Sequence, residues 1–112
     1  MRQLRIGHSP DADDAYMFYA ITHGLVDLDG PEPAGHTEVL EDIQSLNERA
    51  LRGELEMTAI SAAVYPRVAD KYRILACGAS MGLRYGPIVV TNSPMDVADL
   101  EGQKVAMPGP DT

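Results

Sequence analysis

Leu4, Ile6 and His8 alternate with Arg5 and Gly7, a period of two that predicts a strand over residues 2–8. Ser9-Pro10 breaks that pattern. From Asp13 onward Met17, Phe18, Ile21 and Leu25 recur at helical spacing, with Gly24 near the end. Residues 26–36, "VDLDGPEPAGH", are a Pro- and Gly-rich loop. "TEVLED" is a short strand. Ile43, Leu46, Ala50 and Leu51 then mark an amphipathic helix, with Glu41 and Asp42 at its positive end, Arg49 and Arg52 at its negative end, and Gly53 as its stop.

"EMTAIS" predicts a third strand. "SAAVYPRVADKY" predicts a helix whose Pro66 must sit in the first turn or force a kink. "RILACGAS", "PIVVTN" and "QKVAMPG" predict three more strands. The nearly continuous apolar run of "PIVVTN" points to burial on both faces. "SPMDVADLEG" predicts a capped helical turn, and a helix cap is expected at Asp111 or Thr112. The resulting order, β-α-β-α-β-α-β-β-α-β, argues for an α/β fold: a mostly parallel sheet with helices on both faces.

Nine basic and seventeen acidic residues leave a net charge of −8 over 112 residues. Such a balance argues against a nucleic-acid or anionic-membrane partner, because an acidic surface gains nothing from displacing their counterions. Cys77 is the one cysteine in the sequence, so neither a disulfide framework nor a Cys-rich zinc site is expected. Cys77 itself reads as a small buried filler. The N-terminus lacks the apolar run of a signal peptide, and no stretch reaches membrane-spanning length, which predicts a cytoplasmic location. A chain that stops where a helix should begin is expected to be a fragment.

In parallel sheets ligands bind beyond the C-terminal strand ends, near helix N-termini. Four such junctions recur: Ser9-Pro10-Asp11, Glu41-Asp42, Ile60-Ser61 and Pro108 to Thr112. Hydroxyls beside free backbone N–H groups suit a carboxylate or phosphate. Asp11, Asp13 and Asp14 cluster at the first junction. A hard cation needs several converging oxygens, and no second acidic cluster has a path to them, so no metal is expected. Asp11 or Asp13 as the helix cap, with Asp14 in the first turn, accounts for all three. His8 ends the first strand and reads as structural. His23 and His36 occupy a helix surface and a loop. Tyr16, Tyr19 and Tyr65 read as core-edge residues. Asn47 shares a helical face with Ile43 and points either into a cleft or at a turn.

The blocks "IGHSPDADDAYMFYA", "EVLEDIQSLNERALRGELEMTAIS" and "VAMPGPDT" together resemble the menaquinone-biosynthesis proteins of the futalosine route, from about residue 4 to the end. The resemblance implies a fold like type II periplasmic binding proteins: two α/β lobes, a hinge and a cleft. Residues 1–90 would form an incomplete first lobe, and residues 91–112 the hinge and the start of the second. It also implies a carbon–carbon lyase without cofactor, taking cyclic dehypoxanthinylfutalosine to 1,4-dihydroxy-6-naphthoate. Ser9, Asp14, Asn47, Ser61 and Thr112 match the family's substrate-binding positions. The family's basic histidine matches none of His8, His23 or His36 and would lie beyond Thr112, so no catalytic residue is expected within the chain. The first turn departs from the family pattern at His8, Asp11, Ala12, Asp13 and Ala15, and Tyr16 replaces a phenylalanine, which leaves the substrate open. The partner expected is a small anionic substrate; the oligomeric state stays open, a homodimer among the alternatives. A rival reading is a solute-binding module that holds a small carboxylate without chemistry.

Overall fold

In the computed structural model, residues 2–26, 28, 34–84 and 86–112 are described. Most of the predicted loop at 26–36 therefore lies outside them. Three parallel strands run in the order β2-β1-β3: β1 (Arg2–His8), β2 (Ala34–Leu40) and β3 (Met57–Thr58). Helix α1 (Ala12–Thr22) links β1 to β2, and α2 (Ile43–Arg52) links β2 to β3. All seven residues of β1 pair with β2, from Arg2 with Ala34 to His8 with Leu40. Against β3 the ladder covers only Ile6 with Met57 and Gly7 with Thr58. The strand starts late because the Glu56 side chain, not its backbone, takes the Arg5 N–H, at 2.8 Å.

Helices cover both faces, and two adjacent residues of β1 prove it. Neighbouring strand residues point to opposite sides. His8 stacks on Phe18 of α1, with ring centroids 4.7 Å apart. Gly7 faces α2 so closely that a Cβ there would lie 2.8 Å from Leu46 Cδ2 and 2.6 Å from Leu55 Cδ1. Glycine at this position is thus a packing requirement. Ile6, Leu46 and Leu55 are buried at the centre, and Ala50, Val64 and Val68 form a cluster with Leu51, Ile60, Tyr65 and Tyr72 packed around it.

Helix α2 follows its sequence signals. The Asp42 side chain accepts the Ser45 N–H at 3.0 Å, the bond expected of an N-cap. Gly53 closes the helix at φ +70°, the left-handed region where glycine carries no Cβ penalty. Helix α1 departs from expectation. Asp11 occupies its N-cap position without a side-chain capping bond, and Asp14 is the residue the helix buries. Its apolar stripe is only half-buried, and Leu25, beyond the helix, is 66% exposed.

Four further expectations are corrected. The helix predicted after Ser61 is a 3₁₀ segment, Ala62–Arg67. Pro66 has no N–H to return to Ala62, and the bonds around it, Val64 to Ser61 and Val68 to Tyr65, both span three residues. The strands predicted in "RILACGAS", "PIVVTN" and "QKVAMPG" are absent from the described residues; that region holds one short 3₁₀ turn, Val97–Leu100. Ile74, Ile88, Val90 and Val105 are more than half exposed, and Cys77 is exposed, not buried. A strand buried on both faces needs paired neighbours on both sides, and among the described residues the sheet consists of β2, β1 and β3 alone. The radius of gyration, 17.4 Å, exceeds the roughly 13 Å of a compact domain of this length for the same reason. Tyr16, at 84% exposure, also lies well outside the core edge.

Candidate functional site

The C-terminal ends of β1 and β2 open onto a hollow of about 440 Å³, lined by Ser9, Pro10, Asp11, Leu40 to Ile43 and Pro108. Its floor is set at the first junction. Ser9 is buried, and its backbone N–H donates to Asp14 Oδ2 at 2.7 Å, while its hydroxyl oxygen accepts the Asp11 N–H at 3.2 Å. Asp14 therefore reaches back from the third helical position to hold the turn that Pro10 opens. The three aspartates do not converge: Asp14 is committed to Ser9, Asp11 lines the hollow, and the Ser80 hydroxyl holds the Asp13 carboxyl below its ordinary range. Among the described residues, no three His, Cys, Asp or Glu gather as metal ligands would.

His8 lies directly under this turn. Its Nδ1 is 2.9 Å from the Ser9 carbonyl oxygen, which can only accept, so Nδ1 carries the hydrogen. Nε2 is buried without a hydrogen-bond partner, and the nearest acid, Glu38, lies at 4.0 Å. The imidazole fills space against Phe18 as an apolar side chain would.

A second group forms where α2 meets the end of β3. Asn47 is fully buried. Its Nδ2 donates to Ser61 Oγ at 3.0 Å and to the Asp111 carbonyl at 3.2 Å, and its Oδ1 accepts the Ser61 N–H at 2.9 Å. Asp111 is gripped by three side chains, two from α2 and one from the 3₁₀ segment. Gln44 accepts its N–H at 3.1 Å, Arg67 donates to its carboxylate at 2.7 Å, and Asn47 takes its carbonyl. The Thr112 hydroxyl donates to the Gly109 carbonyl at 3.1 Å and remains exposed.

Of the five residues singled out from the sequence, Ser9 alone lines the hollow. Asp14 is bonded to Ser9, and Asn47 to Ser61. Segment 108–112 links the two groups, with Pro108 at the hollow and Asp111 on Asn47. Asp111, Gln44 and Arg67 escaped the sequence reading. Asp111 looked like a helix cap, and its partners lie 44 to 67 positions away, where no local spacing rule reaches.

A sequence profile of the menaquinone-biosynthesis family matches residues 4–112. The chain is 44% identical over 110 residues to 1,4-dihydroxy-6-naphtoate synthase of Thermus thermophilus, covering 97% of this chain and 38% of the relative. It is 38% identical over 105 residues to the synthase of the same name from Streptomyces coelicolor, covering 94% and 35%. A crystal structure of a protein from Archaeoglobus fulgidus superposes with a TM-score of 0.65 at 53% identity, over 83% of this chain and 34% of the other. The chain thus spans little more than a third of the length of the curated relatives it matches. With a profile match across nearly its whole length, the chain belongs to the menaquinone-biosynthesis family.

Proposed function

We propose that this chain carries the substrate-gripping turns of a carbon–carbon lyase that converts cyclic dehypoxanthinylfutalosine to 1,4-dihydroxy-6-naphthoate. The observation that carries the reading is the similarity to two synthases of that name across 94% and 97% of the chain. The strand order β2-β1-β3, with helices on both faces, fits the first lobe of a type II periplasmic-binding-protein-like fold. The substrate is a small anion, and a cytoplasmic location suits such a biosynthetic step.

Abstraction of a proton followed by carbon–carbon cleavage needs a base, and donors for a carboxylate and for the developing oxyanion. In this reading Ser9 and Ser61 supply hydroxyls, Thr112 supplies a third on exchanging its bond to the Gly109 carbonyl for the substrate, Asp14 fixes the first turn, and Asn47 fixes the third. The base comes from outside residues 1–112.

The test is a chimera in which these 112 residues replace the aligned stretch of the Thermus thermophilus relative. Supplied with cyclic dehypoxanthinylfutalosine, it should release the naphthoate, while the 112 residues alone should release none. A folded chimera that stays inactive beside an active parent would refute the assignment.

A further inference from the structure

We infer that Asn47 is a positioning residue that leaves the Ser61 hydroxyl hydrogen free for a ligand, and so favours an anionic acceptor over a neutral ligand of the same shape. The inference rests on the reading above that Ser61 meets the substrate.

The orientation of the Asn47 amide is decided by its neighbours. The Ser61 backbone N–H can only donate, so the atom 2.9 Å from it must be the amide oxygen. The Asp111 carbonyl can only accept, so the atom 3.2 Å from it must be the amide nitrogen. That same nitrogen lies 3.0 Å from Ser61 Oγ. Oγ is therefore an acceptor in this bond, and its own hydrogen must point elsewhere. Among the described residues no protein acceptor takes it. Asn47 is fully buried, so water does not compete for the amide, and Ser61 is only half-buried.

Ser9 repeats the logic on a smaller scale. Its Oγ accepts the Asp11 N–H, which leaves another hydroxyl hydrogen free. Hydroxyls ordinarily serve as donor or acceptor at will. Here Asn47 occupies one lone pair of Oγ, and the hydroxyl hydrogen is left for an acceptor on the ligand. A carboxylate or enolate oxygen takes that hydrogen in a charge-assisted bond, whichever oxygen faces Ser61; a carboxamide takes it only through its carbonyl oxygen, in a weaker neutral bond.

The probes are 2-naphthoate and its neutral isostere 2-naphthamide, titrated into the full chain and followed by amide chemical shifts. The wild type should prefer the carboxylate by about tenfold, the worth of one hydrogen bond to a charged acceptor. Ser61→Ala should abolish most of that preference. Asn47→Asp places an acceptor against Ser61 and draws the hydroxyl hydrogen inward. Because the new charge also repels the anion, the informative quantity is the coupling. Asn47→Asp should weaken naphthoate binding about tenfold more with Ser61 present than in the Ser61→Ala background. Equal losses in the two backgrounds would overturn the inference, as would a Ser61→Ala chain that keeps the wild-type preference. If circular dichroism shows Asn47→Asp unfolded, Asn47→Ala enters the same cycle. An inactive chimera with intact coupling removes the lyase reading and leaves this inference standing; an active chimera without coupling does the reverse.

Discussion

Asp14 Oδ2 lies 2.7 Å from the backbone nitrogen of Ser9, and both residues are buried. One carboxylate thus holds the turn that joins β1 to α1. Asp14→Ala would leave the Ser9 N–H buried without a partner, at a cost of about 2 kcal/mol. Asp14→Asn keeps an acceptor oxygen and should lose roughly half of that. Urea unfolding of the three chains should rank them in that order. An alanine variant as stable as the wild type would show that the turn holds itself.

Gly7 is expected to tolerate no side chain. Its added Cβ would meet Leu55, Leu46 and Thr58 at 2.6, 2.8 and 2.9 Å. Each contact is a side-chain tip, but three must yield together inside the core. Gly7→Ala should destabilise by about 1–3 kcal/mol, and Gly7→Val by more. Thermal unfolding measures both, and an unchanged midpoint for alanine would mean that α2 shifts freely on the sheet.

Gly53 carries a different requirement, since an added Cβ would meet only the Lys71 side chain at an ordinary 3.6 Å while its backbone is left-handed at φ +70°. Gly53→Ala should cost about 1 kcal/mol, and Gly53→Asn clearly less, because asparagine visits that region more easily. A loss for asparagine equal to that for alanine would contradict a backbone cause.

The Arg5–Glu56 pair gives the fold an acid limit. Arg5 holds Glu56 through its guanidinium, at 3.0 and 2.8 Å, and through its backbone N–H at 2.8 Å. Mainly through the guanidinium bond, the carboxyl falls from 4.5 to about 2. A carboxyl with a depressed folded value stabilises the fold above its unfolded value and loses that contribution as pH falls through the folded one. The window is therefore pH 4.5 down to about 2. Urea midpoints across it should drop more steeply for the wild type than for Glu56→Gln, and parallel slopes would remove the pair from the account.

Ile88, Val89 and Val90 are 81%, 58% and 87% exposed, in a run with strong strand preference. The 112-residue chain should associate as its concentration rises, through unpaired backbone and apolar side chains. Val90→Lys should suppress the association seen by light scattering without altering the far-UV spectrum. Association unchanged by the lysine would locate the contact elsewhere.

Much of the fold was legible in short-range pattern. The alternation of Leu4, Ile6 and His8, the Asp42 cap and the Gly53 stop all describe neighbours within a few positions, and α2 and β1 appear where those signals put them. Backbone hydrogen bonding in a helix or along one strand depends on just such neighbours. The pattern was misleading where burial was inferred from apolar runs alone. Residues 87–92 have the composition of an inner strand, yet a strand is buried only by the elements beside it, and none is at hand among the described residues.

The site divides in the same way. Sequence alone determined which residue types stand near the strand ends: Ser9 and Ser61 are hydroxyls at turns, Asp14 and Asn47 an acid and an amide in helices, and their family resemblance followed from order and spacing. Only the tertiary structure decided what each does. It turned Asp14 onto the Ser9 backbone, spent all three Asn47 bonds on Ser61 and Asp111, and brought Arg67 to the Asp111 carboxylate and Gln44 to its backbone N–H, dozens of residues away. A side chain's donors and acceptors are written in its chemistry, but which of them stays free for a ligand depends on who else is within 3 Å, and that is settled by packing.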